Sequence, residues 1–205
     1  GSSNVFENIY RTVGCNISNY NNFPRIIGET GGMNFHFIFN DITDIDDVVL
    51  KTIRGAFEYS GQKCSATSRV YLPHSISKEF IDKLTHSLQK ITVGSPEEKD
   101  IFTSSVINEN AYNKIKKHID STKINPDCEL IFGGNYSNDV GYYIYPTVFL
   151  CNNHGNHIMH EEIFGPVLSI YIYNDNQLEE TLSLCSRNKY GLTGSIFTNS
   201  LKNIQ

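Results

Sequence analysis

The 205-residue sequence contains no tryptophan, only two methionines and no long apolar segment. A membrane-spanning helix needs roughly 20 consecutive apolar residues, so we expect no transmembrane segment. The start of the chain lacks the charged and apolar stretches of a secretory signal, so we expect no signal peptide. Basic residues are also few, with 17 Lys and Arg against 22 Asp and Glu. Nucleic-acid binding depends on clustered positive charge, so we expect no nucleic-acid partner.

The sequence also lacks a regular cysteine framework and two common nucleotide-binding motifs. Neither G-x-x-x-x-G-K nor G-x-G-x-x-G occurs in it. Its cysteines are odd in number and scattered, which favours free thiols in a reducing compartment over a set of disulfides. The cysteines are Cys15, Cys64, Cys128, Cys151 and Cys185.

Hydrophobic patterns that alternate between period 2 and period 3.6 predict an α/β fold with a mostly parallel sheet flanked by helices. Three helices are predicted over residues 44–59, 108–119 and 177–187, with Asn108 as a cap. A fourth is expected to be capped by Ser77 and ended by Gly94. Strands are predicted at 34–39, 68–72, 129–132, 143–150, 167–173 and 194–198.

Cys64 lies in a loop between a predicted helix and a predicted strand, directly after Gly61, Gln62 and Lys63. A nucleophilic thiol needs exposure, and a loop held between two rigid elements provides it. The alternative is a buried cysteine that serves only as a small hydrophobic side chain. These local residues leave both interpretations open.

Glu29 lies in the glycine-rich segment Gly28–Asn34, just before a predicted buried strand. A carboxylate in such a segment can face a cavity, where burial raises the pKa toward neutrality and suits a general base. The alternative is a glutamate in a solvent-exposed turn, because glycine-rich turns are common. Again the segment alone allows both.

Taken together, three motifs in this order resemble the aldehyde dehydrogenase superfamily over nearly the whole chain. Glu29-Thr30-Gly31-Gly32 is similar to the Glu-x-Gly-Gly motif that carries the base. Gly61-Gln62-Lys63-Cys64 is similar to the Gly-Gln-x-Cys nucleophile motif, and Glu162-Ile163-Phe164-Gly165-Pro166 to the Glu-x-Phe-Gly-Pro motif. The resemblance implies NAD-dependent oxidation of a small-molecule aldehyde to a carboxylate.

Further segments resemble one branch of that superfamily, whose members oxidise L-glutamate gamma-semialdehyde to glutamate in proline breakdown. Met33 departs from the pattern, because family members usually carry Lys at that position. The segments that carry this resemblance are Phe23-Pro24-Arg25, Asn34-Phe35-His36-Phe37, Ala56-Phe57-Glu58-Tyr59 and Tyr190-Gly191-Leu192-Thr193-Gly194.

The resemblance implies a role for each motif residue. Cys64 would attack the aldehyde carbon, and Glu29 would activate the water that hydrolyses the resulting thioester. The oxyanion would be held by the Cys64 backbone N–H and by an asparagine that lies upstream of this sequence. Ser65 would line the aldehyde pocket. Glu162 would hydrogen-bond the nicotinamide ribose and Phe164 would pack near the nicotinamide; otherwise they are an acidic helix end and a core phenylalanine.

Gly1 and Ser2 resemble a family turn that opens a helix at the cofactor's pyrophosphate, although they could also be an expression-tag remnant. The resemblance therefore implies that residues 1–27 are the tail of an NAD-binding domain that is largely missing. Residues 28–205 would then be a catalytic domain truncated at its C-terminal end, and the fragment alone would be inactive. The complete enzyme would be a homo-oligomer, dimeric or larger, in the mitochondrial matrix.

Two rival hypotheses remain open at this stage. The first is a non-catalytic binding or assembly fragment of the same fold, in which Cys64 is idle. The second is a metal-dependent hydrolase built on His154, His157 and His160, whose spacing of three could place two imidazoles on one helical face. Gly155 and the neighbouring asparagines instead predict a loop in the first half of this stretch, and the resemblance implies a surface turn, so we expect no metal.

Overall fold

The computed structural model describes residues 1–204 as an α/β fold built around one six-stranded sheet. Its helices are α1 (Ser3–Cys15), α2 (Ile45–Phe57), α3 (His74–Leu88), α4 (Glu109–Lys123) and α5 (Leu178–Ser186). Its strands are β1 (Asn34–Ile38), β2 (Thr67–Pro73), β3 (Cys128–Phe132), β4 (Tyr136–Ser137), β5 (Tyr143–Ile144), β6 (Thr147–Cys151), β7 (Val167–Tyr173) and β8 (Gly194–Phe197).

The order of strands in the large sheet is β3-β6-β7-β2-β1-β8. All neighbouring pairs are parallel except β3 and β6, which run antiparallel at one edge. The predicted α/β fold with a mostly parallel sheet is therefore confirmed. The strands β4 and β5 form a separate small hairpin.

Hydrophobic side chains cover both faces of the sheet, as expected for parallel strands. One cluster joins Ile38, Val70 and Leu72 of the strands to α2 and α3. The other joins Phe37 and Phe149 to α4 and α5. The central strands are thus fixed from both sides, and the loops at their ends carry the polar motif residues.

Some predicted boundaries are wrong for identifiable physical reasons. Ser77 does not cap α3: the helix begins at His74, directly after Pro73, and the Ser77 hydroxyl donates to the His74 carbonyl. The same helix ends at Leu88, before Gly94. The strand predicted at 143–150 is divided into β5 and β6 by residues 145–146, because Pro146 has no N–H for the ladder.

Other predicted boundaries agree closely with the structure. The strand β7 has the predicted bounds, and Asn108 caps α4 by accepting a hydrogen bond from the Ala111 amide. Asp44 likewise caps α2 and accepts from the Asp47 amide. The first helix, α1, buries no side chain, and Phe6 on it packs against Gly28. Within residues 1–204, no helix has the length and apolar character that a bilayer crossing requires.

Candidate active site

Cys64 lies in the loop between the turn Glu58–Gly61 and β2, and it is exposed. The turn before it is unusual, because Tyr59, Ser60 and Gly61 all have positive φ values, of 55°, 55° and 65°. Two consecutive left-handed non-glycine residues cost on the order of 1–3 kcal/mol each and persist only where their surroundings hold them. Here the buried Ser60 amide donates to the Thr103 hydroxyl at 2.8 Å. The turn that leads from α2 into the Cys64 loop is therefore strained, and hydrogen bonds to neighbouring residues hold it in place.

Glycines allow the three motif segments to pack directly against one another. A Cβ on Gly32 would lie 2.3 Å from the Cys64 carbonyl oxygen, and a Cβ on Gly61 would lie 2.2 Å from the Gly165 carbonyl oxygen. Neither contact can be relieved by rotating a side chain, since both involve backbone atoms. The glycines of the motifs are therefore required for the close approach of the Glu29, Cys64 and Glu162 segments.

Asn34, the first residue of β1, ties the Cys64 loop to the sheet. Its side-chain amide donates to the Cys64 carbonyl at 2.7 Å and to the Ala66 carbonyl at 2.8 Å. Its Oδ1 atom accepts from the Thr193 amide at 3.2 Å. Asn34 is only 3% exposed, so these hydrogen bonds are shielded from water. The position of the Cys64 backbone is thus fixed from β1.

Glu162 connects the third motif to the first. Its Oε1 atom accepts a hydrogen bond from the Gly32 amide at 2.8 Å, and its backbone carbonyl accepts one from the Lys114 ammonium at 2.9 Å. A Cβ on Gly31 would lie 2.4 Å from Glu162 Oε2. The Glu162 carboxylate is therefore held against Gly31 and Gly32, close to Glu29 in the sequence.

Phe164 follows in the same segment with a φ of 60°, and its side chain is 41% exposed. It is thus not a core phenylalanine. The left-handed backbone places a large aromatic ring at the surface of a cavity rather than in the hydrophobic core. Such an exposed ring offers a flat apolar surface to a bound molecule.

All three motifs line one open cavity of about 630 Å³. This volume falls within the usual range for small-molecule sites, about 300–1,000 Å³. The cavity wall combines a thiol, two carboxylates, one ammonium group and an aromatic ring. Its lining residues are Gly1, Ser2, Glu29, Thr30, Gly31, Cys64, Ala111, Lys114, Glu162, Ile163 and Phe164.

The predicted site residues are thus brought together with one exception. Cys64, Glu29, Glu162, Phe164, Gly1 and Ser2 all line the cavity, and Ser2 also caps α1 by accepting from the Val5 amide. Ser65 is exposed next to Cys64 but is not part of this cavity wall. Its predicted role in an aldehyde pocket stays a prediction.

Sequence reasoning missed two residues of the site, Lys114 and Asn34. Lys114 lies on α4, where it reads as one more lysine on a solvent-facing helix. Asn34 belongs to a segment that resembles one branch of the family, but its local sequence predicts no separate role for it. Nothing local distinguishes either residue, because their importance comes from contacts made across 48 and 30 positions of the chain.

The histidine segment is arranged differently from the expected surface turn. His154 is buried, and its Nε2 atom lies 2.9 Å from the Tyr71 hydroxyl. His160 Nε2 lies 2.8 Å from the His154 carbonyl, and the His157 ring stacks on His118. The surface-turn prediction is therefore wrong for His154. Among residues 1–204, no group of three His, Cys, Asp or Glu side chains is arranged to hold a metal ion.

Burial accounts for the electrostatics of this segment. It lowers the pKa of His154 to about 4, and the nearby charges of His160 and Arg69 act in the same direction. A neutral His154 at physiological pH suits its hydrogen bond to Tyr71. The same hydroxyl accepts from the buried Arg69 guanidinium at 2.9 Å, so these polar groups satisfy one another internally.

Comparison with known families identifies the class of protein to which this fold belongs. The sequence profile of the aldehyde dehydrogenase family matches residues 1–205. The chain belongs to the aldehyde dehydrogenase family.

Within that family the chain is similar to particular enzymes. It is 44% identical over 201 residues to the mitochondrial delta-1-pyrroline-5-carboxylate dehydrogenase of Dictyostelium discoideum, covering 97% of this chain and 36% of that protein. The mitochondrial enzyme of the same name from Homo sapiens is 41% identical over 200 residues, with coverage of 97% and 35%. The chain thus spans about a third of the length of the curated relatives it matches.

A solved structure gives the same result at the level of the fold. The delta-pyrroline-5-carboxylate dehydrogenase of Mycobacterium tuberculosis bound with NAD superimposes with a TM-score of 0.91 and 31% sequence identity. The superposition covers 100% of this chain and 37% of that chain. The arrangement of strands and helices therefore agrees over the entire length of the chain.

Proposed function

We propose that this chain supplies the catalytic residues of an NAD-dependent dehydrogenase that oxidises L-glutamate gamma-semialdehyde to L-glutamate. One observation carries the proposal: the Cys64 thiol and the Glu29 carboxylate line a single cavity, together with the Glu162 motif. The names of the relatives support the choice of substrate, since those enzymes are delta-1-pyrroline-5-carboxylate dehydrogenases. The same names support a mitochondrial location for the whole enzyme.

Cys64 acts as the nucleophile in the proposed reaction. Its thiolate attacks the aldehyde carbon and forms a thiohemiacetal, whose oxyanion accepts a hydrogen bond from the Cys64 backbone N–H. Loss of hydride from that carbon leaves a thioester on Cys64. The exposed sulfur and the carbonyl fixed by Asn34 suit this role, because the nucleophile must be accessible while its backbone stays in place.

Glu29 acts as the general base for the second half of the reaction. It takes a proton from a water molecule, which then attacks the thioester and releases the carboxylate product together with the Cys64 thiolate. Glu29 is exposed to the cavity, so water can reach it. The backbone around it has no regular secondary structure, and the nearby Gly28, Gly31 and Gly32 are tightly packed.

The cavity wall fits the cofactor that the family implies. The N-terminus of α1, capped by Ser2, opens on the cavity, and helix N-termini bind phosphate groups through their amides. Glu162 offers a carboxylate to ribose hydroxyls, Phe164 offers an aromatic face, and Lys114 adds a positive charge. When bound there, NAD would supply the hydride acceptor for the oxidation.

We propose the same division of the chain that the sequence predicts. Residues 1–27 belong to the tail of an NAD-binding domain, and residues 28–205 form part of the catalytic domain. The lack of any buried side chain on α1 supports this division. The remaining two thirds of the relatives' length would supply most of the cofactor site, so residues 1–205 alone are expected to be inactive. The whole enzyme is expected to be a homo-oligomer.

Variants of the whole enzyme test the proposal. Cys64→Ser and Glu29→Gln should each lower kcat for NADH production at least about 10³-fold. The matched control is Cys15→Ser, which changes another exposed cysteine and should leave the rate unchanged. Full activity of the Cys64→Ser enzyme would overturn the assignment and favour a non-catalytic role for this chain. NADH production by residues 1–205 alone would refute the expected inactivity of the fragment.

A further inference from the structure

Cys128 and Cys151 lie opposite each other on the antiparallel strands β3 and β6. Their sulfur atoms are 3.3 Å apart, within the distance of an S–H···S hydrogen bond. Cys151 is the last residue of β6 and is 1% exposed, whereas Cys128 begins the edge strand β3 and is half-buried. Neither residue belongs to the cavity that holds Cys64.

The strand register places this pair in a geometry that a disulfide can bridge. The Asn152 amide donates to the Asp127 carbonyl at 2.8 Å, so the neighbouring pair Asp127–Asn152 is hydrogen-bonded. Hydrogen-bonded and non-hydrogen-bonded pairs alternate along antiparallel strands, which makes Cys128–Cys151 a non-hydrogen-bonded pair. Such pairs have Cα atoms about 4.5 Å apart, at the short end of the range found in disulfides, about 4.4–6.8 Å.

We propose that Cys128 and Cys151 form a site of reversible oxidation, in which a low-molecular-weight disulfide such as glutathione disulfide closes a cross-strand bond. The proposal does not depend on the reaction assigned to Cys64. It follows from the facing thiols, the register of the two strands and the access to Cys128 from the edge of the sheet.

The reaction proceeds by two thiol–disulfide exchanges. Cys128 loses its proton, and its thiolate attacks one sulfur of glutathione disulfide, which breaks that bond and releases one glutathione thiolate. Cys151 then loses its proton and attacks the Cys128 sulfur, which releases the second glutathione. Two protein thiols are oxidised by two electrons, one glutathione disulfide is reduced, and the two protons go to the two glutathione thiolates.

The order of the two steps follows from the surroundings of each thiol. Burial raises the pKa of both, and it raises that of the fully buried Cys151 more strongly. Cys128 is therefore the thiol that external oxidants reach and the one that ionises more easily. Cys151 meets only the sulfur of Cys128, so it serves as the resolving thiol.

The disulfide would affect the strands β3 and β6 and the segment that follows Cys151. It would join the edge strand β3 covalently to β6, across 23 positions of the chain. It would also fix the start of the segment that leads from Cys151 to Glu162 at the cavity. A closed loop of this length restricts the unfolded chain, so oxidation should raise the unfolding temperature by about 5 °C or more.

Peptide mapping tests the proposal. The folded protein is treated with glutathione disulfide, its remaining thiols are blocked with iodoacetamide in denaturant, and it is digested without reduction. A peptide that links Cys128 to Cys151 and disappears after dithiothreitol is expected. The exposed-cysteine variant Cys15→Ser should retain this linked peptide, and oxidation should raise the unfolding temperature as above.

A second test uses a variant that traps the mixed-disulfide intermediate. Cys151→Ser removes the resolving thiol, so a mixed disulfide with glutathione should accumulate on Cys128 instead of the linked peptide. The proposal is overturned if treated wild-type protein keeps both thiols free for iodoacetamide. It is also overturned if Cys128 or Cys151 is found linked to another cysteine instead.

Discussion

Two segments of this chain carry clusters of potentially reactive side chains, the Cys64 loop and the stretch from His154 to His160. In the first, Cys64 is exposed at a cavity, and the hydrogen bonds around it hold its backbone rather than its sulfur. In the second, His154 is buried against Tyr71, and His160 contacts the His154 carbonyl. A side chain is available for chemistry when the fold supports its backbone and leaves its functional atom free. In the histidine segment, ring nitrogens of His154 and His160 are already engaged in hydrogen bonds within the protein.

Among the changes that compare these two segments, the largest effect is expected from Gly32→Ala, which disturbs the packing at the Cys64 loop. The added Cβ would lie 2.3 Å from the Cys64 carbonyl oxygen, so the loop must shift. A displacement of about 1 Å at a reacting group can cost about 100-fold in rate. We expect a loss of that size in kcat/KM of the whole enzyme, measured as NADH production.

The matched control for this prediction is Gly191→Ala, because an added Cβ there meets no atom within 4 Å. Its activity should stay within about 2-fold of the wild type, as is usual for surface changes away from a site. Equal activities of the Gly32 and Gly191 variants would show that the close packing of the motifs does not position Cys64.

A second prediction compares two buried asparagines: Asn34 of β1, which holds the Cys64 loop, and Asn156 of the histidine segment. Asn34→Ala leaves the Cys64 and Ala66 carbonyls without their partner, so the free energy of unfolding should fall by about 2–3 kcal/mol. Asn156→Ala removes a single 3.3 Å hydrogen bond to the Ile158 amide and should cost only about 0.5–1 kcal/mol. Urea denaturation measures both values.

The same pair of variants separates positioning from stability. Only Asn34→Ala should also lower the rate at which iodoacetamide alkylates Cys64 under native conditions. An unchanged alkylation rate in that variant would mean that Asn34 stabilises the fold without positioning the thiol.

The burial of His154 should make the protein less stable as the pH falls. The pKa of His154 is lowered from 6.5 to about 4, so the unfolded chain takes up this proton at a higher pH than the folded chain. The contribution of His154 to the free energy of unfolding is therefore fully present above about pH 6.5. It decreases as the pH falls toward 4, by on the order of 2–3 kcal/mol. The pKa can be measured by NMR titration of the imidazole.

A variant distinguishes His154 from the other buried histidine. The pKa of His36 is also lowered to about 4 by burial, so it contributes in the same direction. His154→Gln should flatten the dependence of unfolding free energy on pH between 4 and 6.5 without abolishing it. A His154 pKa measured near 6.5 would contradict the buried, neutral state.

The smallest effect, none at all, is expected from removing metal ions. His154 and His160 are engaged with Tyr71 and with a backbone carbonyl, and residues 1–204 contain no metal-binding cluster. Treatment with EDTA should therefore leave the unfolding temperature unchanged, because no bound ion is lost. A decrease that zinc reverses would revive the metal-dependent hydrolase as a rival.

Much of the fold could be predicted from local patterns, and the failures have common causes. The strand β7 follows from a run of apolar residues, and the cap of α4 follows from Asn108, whose side chain accepts from a neighbouring amide. Ser77 failed as a cap because Pro73 already ends β2 in a conformation from which a helix can begin. Local rules rank possible boundaries, but the path of the chain between a strand and its covering helix selects one.

Some residues of the candidate site could likewise be predicted from the sequence, and others could not. The order of the three motifs, which resembles that of the aldehyde dehydrogenase family, predicts Cys64, Glu29 and Glu162 as site residues, and all three line one cavity. Lys114 and Asn34 could not be found in this manner, since each acts on an atom far away in sequence. The burial of His154 was equally hidden, because it depends on Tyr71 of β2.

The sequence by itself determined the alternation of strands and helices, because side-chain type and spacing are local properties, and the order of its three motifs predicted which residues to expect at one site. Only the tertiary structure decided which groups face the cavity, which are buried as partners of one another, and which two thiols meet across β3 and β6. These outcomes depend on distances between residues far apart in the chain, and burial and hydrogen bonding are set by those distances.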